Sequence, residues 1–111
     1  MTSPPAQLVS QIDRLAPGFW SAWSRAVSTA YGRAPFQVTS WWRSRAYNAE
    51  VGGAEASQHL LGVAFDVVPA TRAVQSALAA VGFITVNEGD HIHAQPWPAG
   101  SASGLLRYLG I

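Results

Sequence analysis

The three histidines of the chain fall in two short segments, Ser57-Gln58-His59-Leu60-Leu61-Gly62-Val63-Ala64-Phe65-Asp66 and Asp90-His91-Ile92-His93. There is no cysteine, so any metal must be held by nitrogen and oxygen donors. A catalytic zinc site needs about three such ligands and one open position. His59, Asp66 and His93 make a set of that kind, and one zinc per chain is the expected cofactor. Hydrolysis at such a site also needs a base that takes a proton from water and returns it to the leaving amine. Asp90, at the end of a tight turn and close before His93, is the candidate, with Glu88 in reserve. His91 is expected to support a ligand or to face solvent. Ser57 either orients His59 or the substrate, or shapes its turn by bonding backbone groups.

These side chains must converge from regular elements, and the hydrophobic pattern supplies them. Leu8, Ile12 and Leu15 recur at helical spacing between Pro4-Pro5 and Pro17-Gly18. A second helix runs from Phe19 to Tyr31, with Phe19, Trp20, Trp23, Val27 and Tyr31 toward one side and Gly32 as its stop. The segment 36–42 is rich in β-branched and aromatic residues and predicts a strand, followed by a loop with Arg43 and Arg45 and a helical turn over 47–51 that ends at Gly52-Gly53. A second strand spans 62–68, stopped by Pro69, with His59 in the loop that enters it. Alternation puts Phe65 and Val67 on one face and Ala64 and Asp66 on the other. Thr71 caps a helix to about Val81, and strands at 83–86 and 92–95 form a hairpin through Asn87-Glu88-Gly89. A short helix over 101–109 closes the chain. The fold class expected is α+β, a small antiparallel sheet of about four strands packed with helices. Trp41, Trp42, Trp97 and Tyr108 either line a groove or belong to the core.

Composition narrows the function. At 111 residues, 49% hydrophobic and 12% charged, the chain is expected to form one domain over residues 1–111, acting as a monomer. Its net charge of +1 and scattered arginines argue against nucleic acid as a partner. The longest apolar stretch, roughly 77–86, is too short to cross a bilayer, and residues 1–8 have no signal-peptide character, so no membrane partner is expected. The expected route is synthesis in the cytoplasm, with delivery by a phage lysis system or a virion if the substrate lies outside.

The segment from Ser57 to Asp66 resembles the Ser-x-His-x-x-Gly-x-Ala-x-Asp signature of zinc D-Ala-D-Ala carboxypeptidases and L-alanyl-D-glutamate endolysins, the LAS-type metallopeptidases. Ser40-Trp41-Trp42-Arg43-Ser44, Tyr47-Asn48, Val51-Gly52-Gly53-Ala54 and the final Asp90-His91-Ile92-His93 are similar to further motifs of that family, so the likeness covers roughly 38–95. The resemblance implies a hedgehog/DD-peptidase-like fold, zinc on His59, Asp66 and His93, and Asp90 as base for a zinc-bound water. It also implies that Arg43 binds the substrate and stabilises the developing oxyanion. The substrate class it implies is bacterial peptidoglycan stem peptides, cut by D,D-carboxypeptidase or L-Ala-D-Glu endopeptidase action. The chain departs from the family in a short interval between Asp66 and His93, and in Gln95 where an acidic residue is common. The rival reading is a zinc-binding structural module without turnover, such as a phage particle component.

Overall fold

The computed structural model describes residues 1–111. α1 (Ala6–Leu15) buries Leu8 and Ile12, one helical turn apart, and ends where Pro17 follows. α2 (Phe19–Arg33) runs past Gly32, the expected stop, because nothing in its backbone there departs from helix. Its end is set by Pro35, which disfavours helical backbone in the preceding residue, and Ala34 is accordingly extended. Tyr31, expected on the inner stripe, is exposed and packs edge-on against Phe36.

Four strands form one antiparallel sheet in the order β1 (Gln37–Ser40), β2 (Phe65–Val68), β4 (Ile92–Gln95) and β3 (Ile84–Asn87). The α+β class and the strand count match the sequence expectation. β2 starts later than expected: residues 58–61 form a 3-10 turn, η1 (Gln58–Leu61), with Ser57 capping it through the His59 amide. His59 therefore sits in a helical turn rather than a loop. α3 (Arg45–Glu50) is capped by Ser44, α4 (Arg72–Ala80) by Thr71, and α5 (Ser103–Leu109) lies near the C-terminus. No helix is long and apolar enough to cross a membrane.

Alternation along β2 and β4 separates a packing face from a chemical face. Phe65, Val67, Ile92 and Ala94 pack against α2 and α4 through Ala30, Val74, Ala77 and Leu78. The residues between them, Asp66 and His93, point the other way and are cross-strand partners in the β2–β4 register. A second apolar cluster joins α1, η1 and α5 through Leu8, Ile12, Leu60, Leu61, Ala102 and Leu106. Trp23, Trp41 and Trp42 donate indole hydrogen bonds to the carbonyls of Val63, Gly62 and Leu60, which fixes the segment carrying His59.

Candidate metal centre

His59, Asp66 and His93 come together, each offering one ligand atom within 4.8 Å of the others. His59 Nε2 lies 3.2 Å and His93 Nδ1 3.1 Å from the same oxygen, Asp66 Oδ1. Donors on a tetrahedral zinc with bonds near 2.0–2.1 Å are separated by about 3.3 Å, so both distances suit the edges of such a site. His59 is 2% and Asp66 5% exposed, which removes competing water from two of the three donors.

The ring orientations also fit a metal. His59 Nδ1 is 2.6 Å from the Trp41 carbonyl, which can only accept, so Nδ1 carries a hydrogen and Nε2 is the nitrogen turned toward Asp66. His93 has the opposite arrangement, with Nε2 2.8 Å from Gln95 Oε1 and Nδ1 facing Asp66. Burial pushes the Asp66 carboxyl up, but hydrogen bonds from His59 and His93 and their charge outweigh it and hold the group well below the usual carboxylate range. For His93 burial favours the neutral ring, yet the hydrogen bonds to Asp66 and Gln95, with the charges of Asp66 and Glu88, raise it above 6.5.

The centre opens into a cleft of about 410 Å³ whose wall includes Gly52, Gly53, Ser57 and Gly100. Arg43 lines it, with one guanidinium nitrogen 3.2 Å from Asp66 Oδ2 and the other 3.4 Å from Asn48 Oδ1, while its Nε is buried without a partner. Arg43, expected to bind substrate, thus lines the cleft while paired with the ligand candidate Asp66; Arg45 instead bonds the Glu55 and Ile111 backbone oxygens on the surface. Ser57 both caps η1 and lines the cleft.

Asp90, expected to reach the reacting water directly, does not line the cleft; its side chain is 89% exposed and bonds His91 Nδ1 at 2.6 Å. It extends into the turn because β4 begins only at Ile92, leaving Asp90 outside the sheet. His91 does line the cleft, and its Nε2 is 3.9 Å from Asp66 Oδ2. Glu88 lines it too. Trp41, Trp42, Trp97 and Tyr108 do not: Trp41 stacks on Trp23, Trp97 packs on Phe19, and Tyr108 is exposed elsewhere.

Sequence reasoning assigned no role to Asn48, although it is buried and ties Arg43 to the cleft wall by donating to the Ala54 carbonyl. Gly53 is next to it, and a Cβ there would collide with the Asn48 carboxamide. The Tyr47-Asn48 pair, followed by Gly52-Gly53, was the available signal.

A sheet whose chemical face presents a His-Asp-His group in a polar cleft makes a candidate metal-binding centre. The profile of the family described as Peptidase M15 matches residues 16–94, and the chain belongs to that family of zinc peptidases, the D-Ala-D-Ala carboxypeptidase and LAS-type group. Neither the curated proteins nor the solved structures compared with the chain give a match.

Proposed function

We propose that the chain is a zinc peptidase that hydrolyses bonds in bacterial cell-wall stem peptides. The observation that carries this is the pair of imidazoles turned onto Asp66 Oδ1 at zinc-like spacing, with each ring's remote nitrogen anchored. His59, Asp66 and His93 hold the metal, which when bound supplies Lewis acidity to polarise a carbonyl and acidify water. The substrate class follows from the motif likeness over 38–95, and delivery to the wall through a phage lysis system or virion remains part of this proposal.

The residues around the metal supply the remaining chemistry. The Asp90 carboxylate accepts from His91 Nδ1, which leaves a lone pair on Nε2 facing the cleft. His91 Nε2 takes the proton from water and returns it to the leaving amine, and Asp90 orients the ring and steadies its charged form. Arg43, fixed by Asp66 and Asn48, directs positive charge at the carbonyl oxygen as negative charge develops there. A second assignment, Glu88 as proton carrier, is favoured by its place on the cleft wall.

Metal content and peptide release from purified peptidoglycan, measured for wild type, His91→Ala, Asp90→Ala and Glu88→Gln, test the reading together. About one zinc per chain is expected, with release lowered roughly 10²–10⁴-fold in His91→Ala while zinc is retained. If Glu88→Gln abolishes release and His91→Ala does not, the proton role passes to Glu88. Zinc without release by the wild type supports the structural module, and no zinc overturns the proposal.

A further inference from the structure

The hydrogen bonds behind His93 form a chain that leads out of the metal centre to the segment Pro96-Trp97-Pro98. His93 Nε2 faces Gln95 Oε1 at 2.8 Å, and Gln95 Nε2 donates to the Trp97 carbonyl at 2.8 Å. The same carbonyl receives a second amide, Gln58 Nε2, at 2.7 Å, and the Trp97 amide returns a bond to Gln58 Oε1 at 3.3 Å. Gln58 is buried and is the residue before His59.

The chemistry of these groups allows one arrangement. A peptide carbonyl only accepts, so the Gln95 atom facing Trp97 must be its NH₂. The Gln95 oxygen must then face His93, and an oxygen there demands a hydrogen on His93 Nε2. Turning the amide over would set its oxygen against the Trp97 carbonyl, leaving two acceptors in contact. Trp97 itself cannot readily shift: a proline on each side restricts its backbone, its ring packs on Phe19 at 5.4 Å, and Gln58 grips both its amide and its carbonyl.

We infer that Gln95 is a positioning residue for the metal centre: oriented by the Trp97 carbonyl, its carboxamide fixes His93 with hydrogen on Nε2 and keeps Nδ1 free to face Asp66. This rests on the reading that His59, Asp66 and His93 hold zinc. His59 is set by a backbone carbonyl directly, whereas His93 is set by one at second hand, through a neutral amide. Gln58 joins the two arrangements, since it is the neighbour of one ligand and grips the anchor of the other.

The experiment is zinc affinity measured by chelator competition, with ¹⁵N NMR of the imidazole rings in the zinc-loaded protein, for wild type, Gln95→Leu and Gln95→Glu. Wild-type His93 should carry its hydrogen on Nε2. Gln95→Leu should give a mixture of ring forms and bind zinc about 10–100-fold more weakly, the usual effect of losing a partner behind a ligand. Gln95→Glu keeps an acceptor and should restore the Nε2–H form. A wild-type ring with hydrogen on Nδ1 overturns the inference without any variant, as does a Gln95→Leu protein whose His93 is unchanged. Failure of wild type to bind zinc would remove the metal reading, whereas wild-type zinc binding that Gln95→Leu leaves unchanged would remove the role of Gln95 alone.

Discussion

Asp66 is the residue on which His59, His93 and Arg43 all converge, and its charge ties the site to pH in two directions. Its carboxyl is depressed from 3.8, so its contribution to stability is complete above that value and is lost as pH falls toward the folded pKa. His93 is raised from 6.5, so its contribution is complete below that value and is lost as pH rises through its folded pKa. Metal-free protein should therefore gain most from this pair between 3.8 and 6.5. Thermal unfolding across pH should show this gain for wild type and lose it in Asp66→Asn; parallel curves for the two proteins would contradict it. Zinc must displace the His93 proton, so its affinity should climb with pH across the range where His93 titrates, as titration calorimetry at several pH values can check.

Elements carry these side chains with differing degrees of legibility. The α4 cap was readable because Thr71 follows a proline-ended strand, and its hydroxyl does accept from the Val74 amide. Thr71→Ala should cost about 1 kcal/mol in denaturant unfolding while leaving the metal centre intact. His59, Asp66 and His93 were legible as a candidate ligand set because all three histidines fall in two short segments, and alternation placed Asp66 on the face opposite Phe65 and Val67. The place of Asp90 was not legible because spacing along the chain does not show where a turn ends: β4 begins at Ile92 and leaves Asp90 behind His91. Gln58 was hidden for a different reason, since its partners lie 39 and 40 positions away and are backbone atoms, which leave no residue-type signal. The clamp of Asn48 on Ala54 gives a further prediction: Gly53→Ala should displace the Asn48 carboxamide, loosen Arg43 and lower peptide release more than it lowers zinc binding. Equal losses of both would place the clamp elsewhere.

Across the whole molecule, the buried polar residues Asn48, Gln58, His59 and Asp66 all belong to the metal centre or to the contacts that hold it, while the remaining core is apolar. The two apolar clusters supply packing that does not depend on the centre, one between the sheet and α2 and α4, the other among α1, η1 and α5. Zinc should accordingly add to stability by mass action, about 2.7 kcal/mol at a hundredfold excess over Kd. A chelator should lower the melting temperature reversibly and leave far-ultraviolet circular dichroism largely unchanged; loss of helical signal on chelation would show that the clusters are insufficient alone.

The pairing of Asp66 with His93 across β2 and β4 has a bearing on how such a chain can change over generations. Adjacent strands in register hold the two ligands at a separation set by the ladder itself, whatever the length of chain that connects them. The excursion through α4 and β3 can therefore be shortened or lengthened by inheritance or by an engineer, provided it returns β4 to the same register. The brief interval between these ligands is then a freedom this architecture permits.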